Sequence, residues 1–171
     1  GVLDRKRGAY GEALEWMQRA QASSLAAGDL AATSLVVADI GEVYRLQGRY
    51  AEARTHYDES LDIAASVGDP DLRDEAFAHS LKGAGVVAIW QGDYDGARRL
   101  NELSLQLRRR LGDKPGEAVL LTNQGVIARF QQDLAEARRL NDEALGLFRE
   151  IGDRWSTGQL LNNQACVAAD Q

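Results

Sequence analysis

One spacing constrains this chain more than its composition does. The octet Gln91-Gly92-Asp93-Tyr94-Asp95-Gly96-Ala97-Arg98 recurs as Gln47-Gly48-Arg49-Tyr50-Ala51-Glu52-Ala53-Arg54 and as Arg7-Gly8-Ala9-Tyr10-Gly11-Glu12-Ala13-Leu14. It recurs again as Gln131-Gln132-Asp133-Leu134-Ala135-Glu136-Ala137-Arg138. The alanines Ala13, Ala53, Ala97 and Ala137 are 40, 44 and 40 residues apart. A fixed period of this length marks a repeat array, whose units bury their apolar faces by stacking on neighbours. A second marker, Gly-Asp at Gly28, Gly68, Gly112 and Gly152, follows the first by 20 residues in each unit. Each half-unit therefore holds one helix of about four to five turns. Only the stretch from Gly68 to Gly92 is longer, by four residues. That is about one helical turn, so the insertion lengthens a helix without rotating its buried face far.

Every half-unit follows a helical period, and strand signals are absent. The fold class is therefore all-α. Pro70 and Pro115 each fall just after a Gly-Asp marker, where the first turn of a helix tolerates proline. Asp29 suits the cap of one helix, and Gly48 suits the left-handed residue that ends it. At 171 residues and 44% hydrophobic content the chain can build a well-buried core. Its net charge of −6 gives no general attraction to nucleic acid or to an anionic membrane. The runs Arg98-Arg99, Arg108-Arg109-Arg110 and Arg138-Arg139 read as solvated helix faces paired with nearby carboxylates. A single cysteine, Cys166, excludes an internal disulfide and a cysteine zinc site, and it points to a reducing, cytoplasmic setting. It reads as a small packing residue. No apolar run approaches the length of a membrane span.

The markers divide residues 1–171 into a single array. Residues 1–29 are a partial first repeat that begins inside its helix A, breaks at Gly8 and continues as helix B from Tyr10 to Ala27. Residues 30–69 are repeat 2, 70–113 repeat 3 with the longer helix A, 114–153 repeat 4, and 154–171 helix A of a fifth repeat. Both ends cut through repeats, so the expectation is a piece of a longer array or larger protein. Self-association through the exposed ends is the alternative.

Two helices that pack in pairs need small side chains where they cross. Gly41, Gly85 and Gly125 lie twelve residues before Ala53, Ala97 and Ala137, with Ala165 at the same register in the last helix. Together with Ser60, Ser104 and Ala144, with Tyr10, Tyr50 and Tyr94 after the turn, and with Val37, Leu81, Leu121 and Leu161 early in helix A, these positions resemble the tetratricopeptide repeat. Two features depart from the commonest form. The period is 40 residues rather than about 34, and no proline closes each unit. Both resemble the long-helix branch found in bacterial multidomain regulators, signalling ATPases, kinesin light chains and spindle-orientation adaptors.

The resemblance implies a right-handed superhelical solenoid of antiparallel helix pairs, with the A helices lining a concave ligand-binding face. It implies a non-catalytic scaffold that binds a protein or peptide partner, or another domain of the same protein. No cofactor is expected. A structural spacer is the second reading, and a small-molecule sensor or enzyme the third. On the concave face the candidate contacts are Asn123 and Asn163, Trp90 and Phe130, Arg129, Lys82, Arg45 and Glu42, with His79, Val86 and Val126 beside them. Asn123 and Asn163 share one register, and a side-chain amide both donates to and accepts from an extended backbone. They serve equally well to tie neighbouring helices. Trp90 and Phe130 fall near the ends of successive A helices, placed to hold an apolar anchor or simply to pack. Asn101 and Asn141 recur on B helices, where an inter-repeat hydrogen bond or a solvent-facing position is expected.

Catalytic signatures fail on context. Gly83-Ala84-Gly85-Val86-Val87-Ala88 matches G-x-G-x-x-A, but that pattern binds phosphate only where a strand feeds a helix. Here it lies in mid-helix. His56 and His79 lack a partner at metal-ligand spacing.

Overall fold

A computed structural model describes the backbone of residues 2–169 and the side chains of residues 10–161 and Gln164. The described residues form eight α-helices and no strand. These are α1 (Val2–Ala26), α2 (Leu30–Leu46), α3 (Tyr50–Ala65), α4 (Pro70–Gln91), α5 (Tyr94–Leu111), α6 (Lys114–Phe130), α7 (Leu134–Glu150) and α8 (Arg154–Ala169). Consecutive helices pack on one another, which gives an all-α fold of the solenoid type. The packing divides into two compact units, residues 1–87 and 88–171.

The turn markers end helices as the sequence requires. Gly28, Gly48, Gly92, Gly112 and Gly152 all have positive φ, between 68° and 79°. Aspartates then start the next helix: Asp29, Asp93, Asp113 and Asp133 accept from the amides of Ala32, Gly96, Gly116 and Glu136 at 2.8–3.1 Å. Each caps an amide that lacks a partner within the helix. Pro70 opens α4 and Pro115 stands in the first turn of α6, as expected. The inserted residues do lengthen a helix, because α4 has 22 residues where α2 and α6 have 17.

Three markers behave differently. Gly68 does not take the left-handed turn, and α3 ends before it with Ser66 as its cap. The expected break at Gly8 is not there, since α1 runs unbroken from Val2 to Ala26. Glycine allows a left-handed turn but does not impose one. Gln132 stands where the other turns carry glycine, and it keeps the turn at φ 64°. A side chain with a β-carbon is strained there by about 1–2 kcal/mol. Gln132→Gly is therefore expected to stabilise the chain by about 0.5–1 kcal/mol, net of the extra freedom glycine gives the unfolded chain. Urea denaturation checks this, and a loss of stability would contradict it.

The packing follows the small-residue register. A β-carbon on Gly41 would lie 3.2 Å from the Ala53 carbonyl, and one on Gly125 would lie 3.4 Å from the Ala137 carbonyl. Ala53, Ala97 and Ala137 are fully buried. In the first unit a chain of hydroxyls crosses three helices. Ser34 and Ser60 approach to 2.9 Å, and Ser60 and Ser80 to 2.6 Å. All three are buried, and each finds a partner without breaking the helical ladder. In the second unit Leu105, Leu120, Leu121, Leu140, Leu145, Phe148 and Leu160 form an apolar core. Among the described residues no helix is long and apolar enough to cross a membrane.

Candidate functional site

In the first unit α2 and α4 present the predicted A-helix residues as a charged cluster. Glu42 and Arg45 stand one turn apart on α2, and the guanidinium donates to both carboxylate oxygens, from Nε at 2.7 Å and from Nη2 at 2.5 Å. The Tyr57 hydroxyl, from α3, donates to Glu42 Oε2 at 3.0 Å. His79 on α4 joins Asp39 on α2, with Nε2 2.9 Å from Oδ1. Lys82, one turn beyond His79, adds a positive charge that acts on Glu42.

Tyr57 reaches Glu42 because two glycines make room for its ring. A β-carbon on Gly41 would lie 3.3 Å from Tyr57 Cε1, and one on Gly83 only 2.2 Å. The side chain is 1% exposed, so it passes beneath the A helices rather than over them. Periodicity alone does not point to Tyr57. The available signal was its register, four residues after the buried alanine, which it shares with Asn101 and Asn141.

Burial pushes the Glu42 carboxyl up, but hydrogen bonds from Arg45 and Tyr57 and the charges of Arg45 and Lys82 outweigh it, so its pKa lies below the ordinary value. The Arg45 pKa is raised, chiefly by its bond to Glu42. Burial, then the Glu42 charge, drives the Tyr57 phenol upward, so it remains a donor. A carboxyl with a depressed folded pKa stabilises above its unfolded pKa, and that stability is lost as pH falls through the folded value. The stability gap between the parent and Glu42→Gln is thus expected to be full at pH 7 and to close below the ordinary glutamate range. Urea melts of both proteins at pH 7 and pH 3 measure it.

In the second unit Asn123 lines a cleft of about 180 Å³ between α6 and α8, with Val119, Thr122, Phe148, Ser156, Gln159 and Leu160. Its side chain is half-buried and has no hydrogen-bond partner among the described residues. Phe130 stacks on Tyr94 with ring centroids 5.3 Å apart, and the Arg129 guanidinium lies 5.3 Å from the Phe130 ring. Trp90 is 63% exposed at the end of α4. The ring stacked on Phe130 is that of Tyr94, the first residue of α5. Asn163, Ala165 and Cys166 lie outside the described side chains.

The B-helix asparagines are both shut from solvent. Asn101 is fully buried and Asn141 is 2% exposed. Neither the oxygen nor the nitrogen of the Asn101 amide has a hydrogen-bond partner, nor does the Asn141 oxygen. Neither residue faces solvent, and no inter-repeat bond satisfies the Asn101 amide. A larger cavity of about 280 Å³ opens between α5, α6 and α7, rimmed by Arg98, Arg109 and Arg139. These arginines are tied within the fold, Arg109 to Glu117 and Glu143, Arg139 to Glu136 and Glu143, and Arg98 to Gln131. That agrees with a solvated, internally paired face for these three, whereas Arg108 is buried and paired with Asp113. Among the described residues no group of three His, Cys, Asp or Glu side chains is placed to hold a metal ion.

The family model for the tetratricopeptide repeat matches residues 1–66, 29–86 and 74–150, three overlapping stretches that cover most of the chain. The chain belongs to the tetratricopeptide repeat family. A search of curated proteins found no match. Among solved structures this tetratricopeptide array is similar to BtubC (BKLC) from P. vanneervenii, with 18% identity and a TM-score of 0.72 over 99% of this chain and 67% of that one. It is similar to the apo form of RapI, with 14% identity and a TM-score of 0.77 over 96% of this chain and 45% of that one. It is also similar to the N-terminal domain of stress-induced protein-1 (STI-1) from C. elegans, with 16% identity and a TM-score of 0.60 over 81% and 97%. At these identities the likeness establishes the fold, and the chain spans less than half of RapI.

Proposed function

We propose that this array is a non-catalytic scaffold that holds an extended peptide segment against its A helices, with Asn123 gripping the peptide backbone. The segment belongs to a partner protein or to another domain of the same polypeptide. The observation that carries this reading is the Asn123 amide at the edge of an open cleft, without a hydrogen-bond partner among the described residues. An asparagine that braced two helices would be hydrogen-bonded to one of them. A free primary amide offers two donors and an acceptor, which match one peptide unit. Thr122, Ser156 and Gln159 supply further polar contacts, while Val119, Phe148 and Leu160 supply an apolar floor for a small side chain. The charged cluster around Glu42 adds a chemically distinct stretch of A-helix surface in the first unit. Its groups are held by one another rather than poised for proton transfer, which supports binding over catalysis.

A displayed random-peptide library panned on the full chain tests the reading. Extended peptides should be captured, and Asn123→Ala should weaken them by about tenfold or more, the loss of about 1.4 kcal/mol. Its melting temperature should stay within a degree of the parent, because Asn123 makes no bond to a described residue. Peptides that bind parent and variant equally would move the site off this cleft.

A further inference from the structure

The buried asparagines on the B helices need a physical reason. An amide shut away from water without a partner destabilises a fold, and an apolar residue in its place does not. Asn101 is such a group, 0% exposed with both amide atoms unpartnered. Its register supplies the reason. Tyr57 and Asn101 each stand four residues after the buried alanine of their repeat, Ala53 and Ala97. Tyr57 lies directly beneath Gly83 of the next A helix, with its ring where a β-carbon would be. Gly83 and Asn123 are equivalent positions, two residues before Gly85 and Gly125. Aligned on the repeat, Asn101 on α5 corresponds to Tyr57 and Asn123 on α6 to Gly83, and this correspondence pairs Asn101 with Asn123.

We propose that Asn101 is a positioning residue for Asn123: a buried amide that fixes the Asn123 side chain when Asn123 engages a peptide backbone. This deepens the peptide-binding reading and rests on it. Asn123 has two donors and two lone pairs, and a peptide unit uses one of each. The remaining pair meets Asn101, whose amide is complementary. Binding thus makes bonds that the unliganded protein lacks. A residue that lowers stability at rest and is satisfied only in the complex is what a binding site requires of its support. Asn141 shares the B-helix register one period later, and its unpartnered oxygen lies against Gly125 of the preceding A helix, where a β-carbon would come within 2.4 Å, as Tyr57 lies against Gly41.

The test uses Asn101→Ala, with Asn101→Val as a second variant in case alanine leaves too large a void, alongside Asn123→Ala and the double variant. Without peptide, removal of an unpaired amide should raise the melting temperature by about 2–4 °C. Against a peptide selected on the parent, Asn101→Ala should weaken binding about tenfold. The double variant should bind no more weakly than Asn123→Ala alone, because the two residues act as a unit. A lower melting temperature in both Asn101 variants would make the residue a brace and overturn the proposal. So would a raised melting temperature with unchanged affinity, or losses that simply add. If no peptide binds the parent, the groove reading itself fails and this inference falls with it. Peptides that depend on Asn123 but ignore Asn101 overturn the inference alone.

Discussion

Tyr57→Ala is expected to destabilise the first unit by about 3–5 kcal/mol, the usual cost of emptying a buried aromatic site. The ring is 1% exposed and lies against Gly41 and Gly83, with no larger side chain on either able to move into the space. Helix–helix contact there depends on the ring, so α2 and α4 would lose the packing of the residue between them. Tyr57→Phe separates packing from polarity. It keeps the ring and removes only the bond to Glu42, whose carboxylate retains both bonds from Arg45 and is 42% exposed. A cost of about 1 kcal/mol is expected for that change. Chemical denaturation of both variants decides the matter. Similar costs for alanine and phenylalanine would mean that the hydroxyl, not the ring, holds this crossing.

The helix pairs were legible in the sequence because their causes are local. Left-handed turns want glycine, helix starts want aspartate, and close crossings want small residues, so Gly48, Asp93 and Ala53 announce their roles by type and spacing. The same logic failed at Gly8, where a permissive residue was read as a compulsory break. It passed over Gln132, where the fold imposes a conformation that the residue resists. The candidate face was legible only as a set of positions. Glu42, Arg45, Lys82 and Asn123 could be placed on A helices from the period, but their partners could not. Glu42 is completed by Tyr57 from the B helix behind it, and His79 by Asp39 on the preceding A helix. Such pairs depend on rotamers and on the gaps between helices, which periodicity does not encode. Asn101 shows the limit most clearly. A buried unpaired asparagine and a solvated one have the same sequence signature, and only packing tells them apart.

Gly83→Ala should be destabilising by about 1–3 kcal/mol, although alanine is favoured over glycine in a helix interior by about 1 kcal/mol. The new methyl would meet Tyr57 at 2.2 Å from Cε1, 2.3 Å from Cζ and 2.6 Å from the hydroxyl. A ring that is buried and tied to Glu42 has nowhere to retreat. Gly146→Ala in α7 is the control, since nothing lies within 4 Å of a β-carbon there. That change should stabilise by about 0.5–1 kcal/mol through propensity alone. The opposite signs separate a glycine required for a close approach from one that is merely tolerated. The cause is then isolated in the Tyr57→Ala background, where Gly83→Ala should lose its penalty and gain the ordinary advantage of alanine. If the penalty persists without the tyrosine, another contact of α4 sets the requirement. If it vanishes, Gly83 is glycine because Tyr57 passes beneath it, which leaves no room at this position for the asparagine that the next repeat carries as Asn123.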